Sequence, residues 1–247
     1  VTLNPAAGPP GTPVALQGGP VPPMADGRGL GLVFGSSSQL APDSARGELI
    51  FLAAEYFDFT GDRATLETVW PHVARAADHI DALRGERRTE EYRSGPRSAF
   101  FGLLPESISH EGYSDHPVHS YWDDFWALRG LADAARLARI LGKTDEAQRF
   151  AGSSAQMQAD VEASIRTVIA ARSVDFIPGS ADLADFDATS TTIALDPGGQ
   201  AGRLPAKELA RTFEKYWDRF AQRSAARTAE GSDYTPYEWR IVGSLVR

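Results

Sequence analysis

The sequence predicts an all-α fold of helical hairpins, and three observations carry that prediction. From Asp43 onward, apolar residues recur at three- and four-residue steps through most of the chain. Tight links such as FTGDR and LGKTD separate successive periodic stretches, and short links make antiparallel helical neighbours. Strand-like and turn character is confined to SVDFIPGSADLADFDATS, a small β/turn insertion near 174–190.

Taken in order, residues 1–42 are rich in Gly and Pro, with GPPGTP and GGPVPP among them. Pro removes a backbone donor and Gly adds chain entropy, so this stretch reads as an extended N-terminal segment or a long loop over the body. Residues 43–247 then form the helical domain. Asp43 or Ser44 can cap a first helix carrying Leu49, Ile50, Leu52, Ala53, Tyr56 and Phe57, which stops at Gly61. Asp62 can cap a second, in which Leu66, Val69, Trp70, Val73, Ala76, Ala77, Ile80 and Leu83 make a one-faced stripe. Pro71 inside it predicts a kink or a late helix start.

A long polar segment, roughly Arg84 to Val118, leads to a third helix over about His119–Leu141, ended by Gly142. Thr144 or Asp145 can cap a fourth running to about Arg172. After the β/turn insertion, a short apolar stretch, Thr191 to Leu195, ends at the turn Asp196-Pro197-Gly198-Gly199. A further helix spans about Pro205–Ser224, with Leu209, Phe213, Tyr216, Trp217 and Phe220 on one side. The last starts near Thr235, with Pro236 at a first helical position.

The links alternate in kind, and that has a geometric consequence. If the tight ones lie at one end, the long ones return to the other. The helices starting near Asp43, His119, Thr189 and Thr235 then share a direction, and their N-termini ring one mouth. Every long link but the first brings carboxylates there: Glu106, Glu111 and Asp115; Asp182, Asp185 and Asp187; Glu230 and Asp233.

Composition narrows the function classes. Hydrophobic residues are 42% and charged residues 23%, an ordinary globular balance. The formal charge of −8 and pI near 5.2 argue against a nucleic-acid groove and fit a neutral ligand. With no Cys, thiolate metal sites, disulfides and Cys nucleophiles are excluded. No apolar run approaches the ~20 residues of a membrane span, and no signal peptide is visible. A start at Val1 points to a processed, trimmed or partial product, and we expect a secreted or periplasmic setting.

Gly102 to Leu131, GLLPESISHEGYSDHPVHSYWDDFWALRGL, mixes acids, histidines and aromatic rings where a loop enters a helix. Such a mixture suits holding a sugar ring and cutting its glycosidic bond. RGELIFLAAEYFDFTGDRATLETVWPHVARAADHIDALR, GLLPESISHEGY with HSYWDDFWALRGLADAARLARILG, and YTPYEWRIVGSLVR together resemble the (α/α)6 barrel of the six-hairpin glycosidases. They look like bacterial predicted glycoside hydrolases distantly similar to trehalase, glucosidase and rhamnosidase catalytic domains. The resemblance covers about Pro42 to Arg247 and implies an α/α toroid, an inverting mechanism on two carboxylates, a carbohydrate substrate and no cofactor. Six hairpins need twelve helices, so it implies a partial barrel whose remaining helices come from the full-length chain.

The candidate catalytic residues are Asp124, Glu106 and Glu238. Asp124 shares the apolar face of Leu128, Leu131 and Ala135, so it either serves as a buried acid or pairs locally. Glu106 follows Pro105 in the richest loop and either competes as the acid or holds loop amides. Glu238 sits in a first helical turn, where the dipole favours an ionised base, with Glu230 or Asp233 as the other choices for that role; an ordinary stabilising Glu is the alternative reading of Glu238. Candidate sugar contacts are Trp122, Tyr113, Trp126, His119, Asp123, Asp187 and Asp233, with Tyr121 and Trp239 as further aromatic candidates. Asp123 is a cap or a hydroxyl acceptor, and Asp187 (with Asp185) binds hydroxyls or caps the helix at Thr189. His116 and His119 make an HxxH without a convincing third ligand, so no metal is expected. The rival readings are a polysaccharide lyase, phosphorylase or epimerase of the same fold, where Tyr113 and His119 gain weight, and a helical-repeat binding scaffold without chemistry.

Overall fold

The computed structural model describes residues 44–109, 116–226 and 236–246. The expectations for 1–42 therefore lie outside the described residues. The elements are α1 (Ser44–Thr60), α2 (Arg63–Gly85), the one-turn α3 (Glu90–Arg93), a 3-10 segment (Gly95–Phe100), α4 (Tyr121–Ile140), α5 (Thr144–Arg172), α6 (Ala188–Leu195), α7 (Ala206–Ala226), a 3-10 turn (Pro236–Glu238) and α8 (Trp239–Val246). The chain is mainly helical, as expected. Among the described residues, β pairing amounts to isolated bridges. Two of them, Ser120 with Ser180 and Pro178 with Phe186, are all the pairing in the insertion near 174–190.

The tight turns form for the reasons the sequence supplies. The Gly61 amide donates to Phe57 O at 2.7 Å with φ +65°, a left-handed stop that glycine adopts without strain. Asp62 then caps α2, its Oδ1 accepting from the Thr65 amide at 3.0 Å. Two details differ from expectation. Thr144 is the first residue of α5, and Lys143 occupies the cap without a side-chain bond. Pro71 does not delay α2, which begins at Arg63. Pro71 and Glu67 are both exposed, so the Glu67 carbonyl deprived of its helical donor can turn to water.

Paired contacts fix the directions of the helices. Gly47 packs on Trp126 and Gly130, the Phe51 ring meets Trp126 at a tilt, Glu55 lies 3.7 Å from Arg129, and Arg136 forks onto Asp58 at 2.7 and 2.8 Å. Both series ascend together, so α1 and α4 run parallel. Asp78 with Arg149, Asp81 with Ser153 and Arg84 with Asp160 give the same result for α2 and α5. Tyr121 meets Ser164 while Ala138 meets Lys143, so α4 and α5 are antiparallel. Two hairpins, α1–α2 and α4–α5, thus lie side by side in register. The start of α6 is tied to the start of α4 through the bridges at Ser180 and Phe186, and Arg129 Nη1 donates to Pro197 O beyond the end of α6 at 2.5 Å. Therefore α6 also runs with α4. The second half of α7 returns to the start of α6, where Arg219 covers the Phe186 ring at 4.1 Å.

The core lies between these hairpins. Ile50, Ala54, Leu66, Trp70, Ile80, Leu128, Leu131, Phe150, Met157 and Ile165 are all within 4% of fully buried. Arg84 joins them at 1% exposure, held by Asp160, Asp81 and the carbonyls of Gly102 and Ser153. No helix among the described residues is long and apolar enough to cross a membrane.

Candidate functional site

The segment Leu104–Ser107 runs beside the residues that lead into α4, with the Ser107 and Val118 backbones exchanging two hydrogen bonds at 2.9 Å. That pairing brings Glu106 to the N-terminal end of α4, next to His119. The Asp182 carboxylate approaches His119 from the loop before α6. Its Oδ2 accepts from the His119 amide at 2.6 Å and lies 3.1 Å from Nδ1. A carboxylate only accepts, so Nδ1 carries the ring proton and Nε2 is the free end of the ring. The imidazole is 1% exposed and stacks on Phe100 at 4.2 Å with a 6° interplanar angle. Nε2 is buried and has no hydrogen-bond partner among the described residues; it faces Glu106 Oε1 at 3.7 Å. On its other oxygen, Glu106 pairs with Arg87.

These neighbours set the charge states. Burial pushes the Glu106 carboxyl up, but its own amide, Arg87 and His119 together outweigh this and hold it below the usual range. Burial likewise acts against Asp182, and its bonds to the His119 ring and amide more than compensate. Both are anions at neutral pH. The Tyr121 phenol, wholly buried and bonded to Ser164 at 2.7 Å, is pushed far above its ordinary value by burial and stays neutral.

The two acids of α4 point into the protein. Asp124 is fully buried, and its Oδ1 accepts from the Leu104 amide at 3.0 Å. Asp123, at 1% exposure, accepts from Ser107 Oγ at 2.5 Å and Ser109 Oγ at 3.3 Å. Together they pin both ends of the segment that carries Glu106. A proton donor must touch the glycosidic oxygen, and in this conformation the Asp124 carboxyl is closed off from solvent. Trp122, at 1% exposure, is also core, with Arg240 over its ring at 4.5 Å. The expected sugar contacts at Trp122, His119 and Asp123 are therefore interior groups here. The apolar face of Leu128 and Leu131 that the phase gives Asp124 is here solid packing.

Two cavities lie along the helices. One, about 310 Å³, is lined by Phe186, Asp187, Thr189, Tyr216, Arg223 and Glu238 among others. In it Glu238 accepts from Tyr216 at 2.5 Å, and Arg223 forks onto both its oxygens at 3.0 and 2.7 Å, the geometry of a carboxylate bound as an anion. Asp187 caps α6 through the Thr189 and Ser190 amides at 2.9 and 3.2 Å, the second of its two expected roles. The other cavity, about 400 Å³, lies between α1, α4 and α6 and is lined by Phe51, Glu55, Trp126, Arg129, Asp196 and Arg240 among others. The Trp126 ring meets Phe51 at 5.4 Å and a 58° tilt there, and its indole Nε1 is buried without an acceptor among the described residues. Asp124 and Glu106 line neither cavity, so the three expected catalytic acids do not share one of these openings. Tyr113 and Asp233, with His110, Glu111, Asp115 and Glu230, lie outside the described residues.

Arg87, Asp182 and Arg223 complete these clusters, and the sequence singled out none of their pairings. Asp182 was visible only as one acid of a long link; nothing in spacing tied it to His119. Among the described residues, no three His, Asp or Glu side chains converge as a metal site requires. Neither protein-family models, nor curated proteins, nor solved structures gave a match to this chain.

Proposed function

We propose that the chain is the helical-hairpin part of an α/α-toroid glycoside hydrolase, cutting a glycosidic bond by an inverting acid/base mechanism. One observation carries the reading. The links entering α4, α6 and α8 gather Glu106, Asp182, Asp187 and Glu238 at the end where the parallel helices α1, α4 and α6 begin. Of the three candidate acids, Glu106 and Glu238 reach the surface layer, with side-chain exposures of 42% and 11%. In this reading Glu106 protonates the leaving oxygen and Glu238 activates water, which requires a sugar to reach both, although the two do not line one opening here. Asp124 serves by holding Leu104, and with it the Glu106 segment, in place. The wall of Phe51 and Trp126, with Glu55, Arg129 and Asp196 nearby, combines an apolar ring face with hydrogen-bonding groups, which suits a sugar.

The test is hydrolysis of a panel of aryl glycosides by the full-length protein, its Glu106→Gln variant and its Glu238→Gln variant, with the product anomer followed by NMR. The reading expects turnover with inversion and a loss of about 10²–10⁴ in kcat for each variant. Turnover unchanged in both variants, or none on any glycoside, overturns it.

A further inference from the structure

A carboxyl held below its usual range makes a poor reservoir of protons, yet Glu106 is a partly exposed acid beside the start of α4. The side chain beside it resolves the conflict. His119 is buried on every side: Phe100 against its face, Asp182 on Nδ1, Glu106 Oε1 facing Nε2 at 3.7 Å. A buried ring nitrogen without a hydrogen-bond partner is costly, so it calls for an explanation. Among the described residues it faces a carboxylate oxygen, at a separation slightly wider than a hydrogen bond. A small side-chain rotation of Glu106, which is partly exposed, closes that gap.

We infer that His119, clamped by Asp182, stores the proton that Glu106 delivers to the leaving group, so that Asp182, His119 and Glu106 work as one proton-carrying array. The inference rests on the glycosidase reading for its substrate, but not for the proton sharing itself. In the loaded state the imidazolium sits between two carboxylates, with Asp182 on Nδ1–H and Glu106 on Nε2–H. The Nε2 proton moves to Glu106 Oε1, leaving a neutral ring and a carboxylic acid. As the anomeric C–O bond breaks, its electron pair goes to the glycosidic oxygen, which takes that proton from Glu106. Water adds to the anomeric carbon and gives its proton to the base, Glu238. Proton exchange with solvent from Glu238 and back to His119 resets the site, so charge and atoms balance. The charged groups facing the array among the described residues are Arg87 on Glu106 Oε2 and Arg172, whose Nη2 donates to the Asp182 carbonyl at 2.7 Å. Arg87 favours the anionic form of Glu106, and Arg172 fixes the backbone that carries Asp182. Asp182 is thus a positioning residue, and Glu106 alone touches substrate.

The experiment has two arms on the full-length protein. In the first, ¹⁵N-histidine NMR follows the ring of His119, assigned from its loss in His119→Asn. With the array loaded, wild type shows both ring nitrogens protonated, Asp182→Asn weakens the hold on Nδ1–H, and Glu106→Gln removes the Nε2 proton's acceptor and displaces that resonance. An Nε2 signal indifferent to Glu106→Gln overturns the proton sharing whether or not glycosides are cleaved. In the second, kcat/KM is measured on glycosides of graded leaving-group acidity. His119→Asn keeps a donor for Asp182 but lacks Nε2. It loses about 10²–10⁴ on poor leaving groups and little on activated ones such as glycosyl fluorides, which need no proton. An equal loss across the series assigns His119 a purely structural role and overturns the inference. If the NMR arm holds and no glycoside is cleaved, the array stands and it is the glycosidase reading that fails.

Discussion

Replacing Gly47 by alanine tests the parallel packing of α1 on α4 at its closest point. An alanine Cβ at this site would lie 2.1 Å from the Trp126 carbonyl oxygen and 2.4 Å from its carbon, both backbone atoms that no rotamer change can move. From the facing side, a Cβ on Gly130 would lie 2.7 Å from Gly47 Cα. Relief requires the two helices to part by roughly 1 Å, and a radial gap of 0.5–1 Å already forfeits a quarter to a half of each dispersion contact along the seam. Overpacking of this kind costs about 1–3 kcal/mol and sometimes more, and a backbone-on-backbone clash belongs at the upper end. Against this, alanine gains about 1 kcal/mol over glycine in helix propensity. The net expectation is a loss of about 2 kcal/mol, or roughly 4–8 °C in Tm at about 2–4 °C per kcal/mol for a domain of this size. Gly152 supplies the control. It is an exposed glycine inside α5, and an alanine Cβ there meets nothing within 4 Å. Gly152→Ala is expected to raise stability by about 0.5–1 kcal/mol. Urea and thermal unfolding followed by circular dichroism measure both. If Gly47→Ala proved as stable as Gly152→Ala, α1 and α4 would not meet at this pair, and the parallel arrangement of the hairpins would be wrong.

Arg84→Met should cost about 3 kcal/mol in urea unfolding, because it leaves Asp160 in a 12%-exposed site with Arg88 as its remaining ion-pair partner. Asp187→Ala should cost about 1 kcal/mol by removing the acceptor of the first α6 amides, and an unchanged urea midpoint would contradict that cap. Asp124→Asn keeps an oxygen for the Leu104 amide, so it should hold most of the stability and most of any glycosidase activity. A loss of 10³-fold or more in kcat from a folded Asp124→Asn protein would restore Asp124 as the acid. The pH dependence has a definite sign. Arg136 holds Asp58 below the usual carboxylate range, and His119 does the same for Asp182 against the opposing effect of burial. A depressed folded pKa adds stability above the unfolded value of about 4, and that stability disappears as pH falls through the folded value. Urea midpoints should therefore fall below pH ~4, less steeply in Asp182→Asn.

The helices were legible because their signals are local. Gly61 and Gly142 stop α1 and α4 with left-handed backbone, Asp62 and Asp187 cap the helices that follow them, and the stripe from Leu66 to Ile80 is buried as its phase requires. Even the shared direction of α1, α4 and α6 followed from the alternation of tight and long links. The site was less legible, because its determining contacts join residues far apart in sequence. His119 and Asp182 are 63 residues apart, and Arg87 and Glu106 are 19 apart. Helix phase can say that Asp124 and Trp122 point inward. It cannot say whether inward means a cavity or solid packing, and here the difference is set by Leu104 and Arg240 lying on top of them.

That distinction sorts the acids at this end of the molecule by what lies opposite each one. Asp123, Asp124 and Asp187 accept from serine hydroxyls and backbone amides; Asp123 and Asp124 are closed off from solvent, while Asp187 caps α6 at the wall of the Glu238 cavity. Glu106 and Glu238 face arginines on one side and open surface or a cavity on the other. An amide-bound acid spends its charge on fixing a loop, and the loops fixed here are those that carry the Arg-bound acids: Asp124 and Asp123 hold the strand of Glu106, and Asp187 holds the helix start beside Glu238. A cluster of carboxylates at helix N-termini thus divides into a supporting layer and a working layer. The partner of each acid, more than its position in the sequence pattern, decides to which layer it belongs.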